Sequence, residues 1–166
     1  MKIALIVLGV LVAVVLLGVV VGWSLPVHHR ASREVTYAAS PERIYDVITN
    51  VEDFPAWRPK VKSVEQVAGP NGARSFRESG ADGVILYVVD EAVPGRRLVT
   101  RIADDKLPFG GKWTYELIPV PAGTTLRITE DGEVHNPIFR LVSRFVFGHR
   151  ATIDNYFGDL GRKLSG

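Results

Sequence analysis

The side chains best suited to proton chemistry in this sequence are Glu130 and the four histidines, His28, His29, His135 and His149. Glu130 alternates with Leu126 and Ile128, so the three share one face of a strand. A carboxylate on such an apolar face needs a partner or a raised pKa. His149 falls on the apolar stripe of the last helical segment, and His135 lies near that segment's start. If Glu130 and His149 met in an apolar interior, they would form an acid/base pair of the kind a cyclase or hydrolase uses. The plainer expectation is structural: Glu130 lies near a strand end and is satisfied by solvent or a basic neighbour. His28 and His29 are adjacent, poor geometry for one metal, and no third ligand is evident, so no zinc site is expected. The sequence has no cysteine, which removes disulfides, thiol catalysis and Cys-ligated metals. It also has no GxxxxGK[ST] phosphate loop and no GxSxG elbow. The acidic pairs Asp104-Asp105 and Glu130-Asp131 are adjacent, so alternation sends their side chains apart. No cofactor and no metal are expected.

The elements that must position these groups divide sharply by charge. The 166 residues carry 20 Lys and Arg against 18 Asp and Glu, a net charge of +2. Lys2 is the one charged residue before Arg30. With no long basic run in the remainder, nucleic acid is not an expected partner. Residues Ile3 to Val21 contain only Ile, Ala, Leu, Val and Gly, and Gly22 and Trp23 extend the run. Twenty-one helical residues span roughly 31 Å, the hydrocarbon thickness of a bilayer. Residues 1–23 are therefore read as a single transmembrane helix, with Trp23 as interfacial anchor and Pro26 as its stop. A cleaved leader is the competing reading, but signal h-regions are usually shorter, about 7–15 residues. Which side of the membrane the rest occupies stays open. Gly18 and Gly22 fit a GxxxG pattern, a candidate for weak homodimer contact, although chance in a small-residue helix explains it as well. Residues 24–32 are expected as a linker, holding a domain of residues 33–166 close to the membrane.

Residues 33–38 alternate as a strand. Ser40-Pro41-Glu42-Arg43 opens a short helix ending at Asn50, with Ser as N-cap and Pro at the first helical position. Phe54-Pro55-Ala56-Trp57 is a tight turn or second short helix. From Val61 to Val134, Gly- and Pro-rich turns separate about six strand-like runs, an antiparallel meander. Tyr87 shares a face with Ile85 and Val89, and Trp113, Tyr115 and Leu117 share another. Asn136-Pro137 then opens a helix of roughly 27 residues, about 40 Å, whose apolar stripe includes Phe145, His149, Ile153 and Tyr156. The class is α+β.

This element order resembles the helix-grip fold of the START-like, Bet v 1-like SRPBCC superfamily. The wording agrees with it. Ala39-Ser40-Pro41-Glu42-Arg43-Ile44-Tyr45-Asp46-Val47, then Phe54-Pro55-Ala56-Trp57-Arg58-Pro59, resembles the opening of its polyketide cyclase/dehydrase-like members. So does the close, Asn136-Pro137-Ile138-Phe139-Arg140 through Gly148-His149 to Asp154-Asn155-Tyr156. The resemblance implies an antiparallel sheet of about seven strands wrapped around a long C-terminal helix, with a cavity between them. On the assigned faces its wall would include Tyr87, Trp113, Tyr115, Leu117, Leu126, Ile128, Glu130, Phe145, His149 and Ile153, while Pro55 and Trp57 set shape. The leading expectation is a membrane-anchored binding domain for a hydrophobic small molecule or lipid. A cyclase- or hydrolase-type enzyme using Glu130 and a histidine is the alternative. A tethered interaction or stress-response module whose side chains fill the cavity is the third.

Overall fold

In the computed structural model, which describes residues 2–81, 83–142, 144 and 151–166 (Asn71 by its backbone alone), the alternating runs become one seven-stranded antiparallel sheet. Its strands are β1 (His28–Tyr37), β2 (Val61–Ala68), β3 (Arg74–Gly80), β4 (Gly83–Val93), β5 (Arg97–Ile102), β6 (Phe109–Val120) and β7 (Gly123–Val134). The helices are α1 (Lys2–Ser24), α2 (Pro41–Thr49), α3 (Phe54–Trp57), α4 (Pro137–Val142) and α5 (Ala151–Ser165). Strands β2 to β7 form a meander and β1 returns to pair with β7, giving the order β1-β7-β6-β5-β4-β3-β2. This is the α+β helix-grip arrangement.

The N-terminus of α2 is set locally. The Ser40 hydroxyl accepts from the Arg43 amide at 3.2 Å, and Pro41 occupies the first turn, where its missing N–H costs nothing. The same helix buries Ile44, Val47 and Ile48 on one stripe. Helix α5 lies along β1, where Arg33 donates to Asp154 at 2.8 Å and the Tyr37 hydroxyl donates to the Phe157 carbonyl at 2.9 Å. Ile44, Ile48, Leu126, Ile128, Ile153 and Leu160 are fully buried between these helices and the sheet. Truncating any of them to Ala would cost about 2–5 kcal/mol.

One boundary differs from the sequence reading. Strand β1 begins at His28, so residues 28–32, expected as linker, are paired strand; His29 lies opposite Gly132 and Ala31 opposite Glu130. Local alternation from Arg33 missed this because the extra pairs are supplied by β7, a hundred residues away. Only Leu25, Pro26 and Val27 then separate α1 from the sheet. In the stretch expected as one helix of roughly 27 residues, α4 packs against α1, while α5 packs against β1 and α3.

Candidate functional site

The inward face of the sheet follows from register. Glu130 lies opposite Trp113, Trp113 opposite Thr100, Ile102 opposite Tyr87, and Tyr87 opposite Phe76. These residues, with Glu78, Ile85, Val89 and Leu98, line a cavity of about 550 Å³ that α3 and α5 cover with Phe54, Arg58 and Tyr156. The walls are mainly aromatic and aliphatic. Phe76 stacks on Tyr87 with ring centroids 5.2 Å apart, Phe54 meets Phe76 edge-on at 6.1 Å, and Trp113 meets Tyr156 at 5.8 Å.

A polar network lies on the α3 and β3 side of the cavity, its floor; the β1 and β7 side is its rim. Arg58 forms a bidentate pair with Glu78, donating to its two oxygens at 2.6 and 3.2 Å, with both side chains largely buried. Its guanidinium also lies 4.8 Å from the Phe54 ring centroid and 5.4 Å from that of Tyr156. Burial opposes the guanidinium charge, but the Glu78 carboxylate and the neighbouring tyrosines outweigh it, and its pKa moves up. The Tyr115 hydroxyl lies near those of Thr100 and Tyr156, and the Tyr115 ring centroid is 5.8 Å from that of Tyr156. Burial pushes the Tyr115 phenol up to about 12 and the Tyr156 phenol well above its ordinary value. Both therefore remain neutral donors across the physiological range.

At the rim the chemistry is different. Glu130 lines the cavity with one carboxylate oxygen 3.6 Å from His29 Nε2, their side chains 20% and 16% exposed. The other oxygen, Oε2, is buried without a hydrogen-bond partner. Two glycines make this corner. Gly111 has φ 125°, which favours glycine, and faces Gly132 across the β6–β7 pair. A Cβ at Gly132 would collide with the His29 ring, so that glycine admits the imidazole beside Glu130.

Of the residues expected on the wall, Tyr87, Trp113, Tyr115 and Glu130 line the cavity. Leu117, Leu126, Ile128 and Ile153 point inward but pack into the core, because α2 and α5 sit directly on that part of the sheet. Phe145 and His149 lie outside the described residues. The histidine found at Glu130 is His29, which had been assigned to the linker. His28 and His135 lie instead within 4 Å of Glu133, and no group of three metal-type ligands occurs among the described residues. Arg58, Glu78, Thr100 and Tyr156 were not singled out as site residues. One signal was available: Phe76 and Glu78 alternate as Ile128 and Glu130 do, putting a second carboxylate on an inward face.

The family whose model matches residues 28–155 is described as polyketide cyclase / dehydrase and lipid transport. Among solved structures, a START superfamily protein from Mycobacterium smegmatis is similar at 21% identity and TM-score 0.65, over 82% of this chain and 97% of that one. The Zhui aromatase/cyclase from Streptomyces sp. R1128 is similar at 14% identity and TM-score 0.65, over 83% of this chain and 94% of that one. The di-domain aromatase/cyclase StfQ from the steffimycin biosynthetic pathway is similar at 15% identity and TM-score 0.66, over 84% of this chain and 49% of that one. At these identities the likeness is one of fold. No curated protein sequence matches this chain.

Proposed function

This chain belongs to the polyketide cyclase/dehydrase and lipid-transport family, and from that premise we propose that it is a membrane-anchored binding domain for a hydrophobic small molecule or lipid. The observation that carries the reading is the cavity itself. Its 550 Å³ lies within the range of small-molecule sites, roughly 300–1,000 Å³. Apolar walls supply the affinity, and the Tyr115, Tyr156 and Thr100 hydroxyls supply one polar locus. Arg58 already has its counter-charge in Glu78, so a neutral hydroxyl or carbonyl suits this floor better than a carboxylate.

Residues 1–23 are the proposed anchor and residues 33–166 the proposed domain, with residues 28–32 as the start of its first strand. Helix α1 is long and apolar enough to cross a membrane, with mean hydropathy 3.3 over its most apolar window. The test is titration of the full-length protein in detergent with 1-aminoanthracene, an apolar fluorophore. Saturable binding with energy transfer from the protein's tryptophans supports the reading, and weakened binding in Val89→Phe assigns it to the cavity. Partition without saturation overturns it.

A second reading, a cyclase- or hydrolase-type enzyme, is favoured by the Glu130 and His29 pair. A carboxylate oxygen without a hydrogen-bond partner on a cavity wall has capacity left to accept a substrate proton. Glu130→Gln separates the two readings: loss of turnover with binding retained supports the enzyme, and unchanged behaviour supports the binding domain.

A further inference from the structure

We propose that α4 is a second membrane contact, seated in the interfacial layer of the bilayer that α1 crosses, so that the cavity opens towards lipid rather than bulk water. This rests on the reading of α1 as a membrane anchor.

Three observations converge on it. The first is how α4 is held. Gly18, Val19 and Gly22 share one face of α1 and are its least exposed residues, and α4 lies directly against Gly22. A Cβ at Gly22 would collide with the Pro137 carbonyl, so this close approach needs glycine. Arg140 fastens the junction, donating to the Leu25 carbonyl at 2.8 Å and to the His135 carbonyl at 3.1 Å. The Val134 amide donates to the Val27 carbonyl at 2.9 Å. Helix α4 is thus fixed at the level of the last turns of α1, where the apolar run meets water. The face of α1 that a second copy would approach at Gly22 is taken up within the chain.

The second observation is what α4 presents. Ile138 and Phe139 are 49% and 51% exposed, and Trp23 at the end of α1 is 73% exposed. In a domain surrounded by water these would be three large apolar groups without cover; at an interface they sit where such residues are favoured.

The third is where the cavity opens. Phe139 is also a lining residue, beside Val134 and Phe109. Of the exposed lining residues on the sheet and its turns, Lys60, Ala81, Gly83 and Lys112 belong to the end where β1 leaves α1 and where β2, β4 and β6 begin, while Arg74 lies at the other end. The opposite end, marked by Val93, is a full strand away, roughly 33 Å along β4.

The absence of cysteine makes the test clean, since any introduced thiol is unique. Ile138→Cys, Phe139→Cys, Leu11→Cys and Val93→Cys variants of the full chain would each carry an NBD fluorophore. Each would be reconstituted into phosphatidylcholine vesicles containing lipids with a nitroxide at the headgroup or deep in the acyl chain. Both α4 positions are half-exposed, so neither substitution disturbs the core, and each checks the other. We expect headgroup nitroxide to remove at least about half of the emission at Ile138→Cys and Phe139→Cys, deep nitroxide to quench Leu11→Cys, and neither to quench Val93→Cys. Quenching at Leu11→Cys with none on α4 overturns this inference and leaves the anchor intact. Quenching at Val93→Cys equal to that on α4 overturns the orientation. No quenching at Leu11→Cys overturns both the anchor and this inference.

Discussion

The floor and the rim of the cavity each place a buried carboxylate on an inward strand face, and they treat it in opposite ways. On the floor, Glu78 is met by both arms of Arg58, which is itself sandwiched between Phe54 and Tyr156. At the rim, Glu130 has His29 3.6 Å from one oxygen, and its other oxygen is buried without a hydrogen-bond partner. A saturated group maintains shape and resists change; an unsaturated one retains hydrogen-bonding capacity at a cost in stability. The floor is thus built to hold a cavity open, and the rim is where chemistry or ligand selection has room to act.

The sharpest way to break this contrast is to remove the floor carboxylate. Glu78→Ala leaves Arg58 as an unpaired, mostly buried charge, and urea unfolding should show a loss of about 2–3 kcal/mol, just below the usual range of about 3–5 kcal/mol because water still reaches the guanidinium. Replacing both partners, Arg58→Met with Glu78→Leu, should recover most of that loss. If Glu78→Ala is as stable as the parent, the floor is not held by this pair.

Filling the cavity should come next in size. Val89→Phe adds bulk to a partly buried lining position, and the apolar probe should bind about tenfold more weakly, about 1.4 kcal/mol, with stability nearly unchanged. Undiminished binding would move the ligand out of this cavity.

A pH titration probes the floor phenols. Tyr115 and Tyr156 hold their protons more tightly folded than unfolded, so their contribution to stability is complete below the ordinary tyrosine value of 10.0; it is lost as pH rises through about 12 for Tyr115, and as pH climbs well above 10.0 for Tyr156. Each should remove on the order of 1 kcal/mol per pH unit in that window. Near-ultraviolet titration of the five tyrosines should show these two, together with Tyr37, whose phenol burial also pushes up, ionising late or only with unfolding. Ionisation of all five near pH 10 in the folded protein would contradict it.

The smallest effect is expected at the rim. Glu130→Gln removes a charge with no bidentate partner, and stability should change by less than about 0.5 kcal/mol, with probe binding retained. A loss as large as that of Glu78→Ala would make the two carboxylates equivalent and erase the contrast.

Much of this was legible because strands write their faces directly into sequence. Period-two alternation in 113–117 and 126–130 identified Trp113, Tyr115 and Glu130 as inward, and the register agrees. Ser40 and Pro41 announced the start of α2. What alternation does not encode is how far above a strand the covering helix sits. Leu126 and Ile128 have the same pattern as Ile85 and Tyr87, yet α2 and α5 press on the former pair and leave space over the latter. Pairings between distant segments were equally hidden. Arg58 is the residue that ends α3 and Glu78 comes from β3, and His29 reaches Glu130 only because β1 pairs with β7. The GxxxG pattern of α1 showed a surface suited to close packing but not that α4 comes against it at Gly22.

Native mass spectrometry of the full-length protein in mild detergent, followed by organic extraction of what it carries, goes straight to whether the cavity is a ligand site. One stoichiometric apolar molecule bearing a neutral hydroxyl or carbonyl, lost in Val89→Phe, is the expected result. A protein that carries nothing, and whose Val89→Phe variant behaves as the parent does towards every apolar probe, would contradict it.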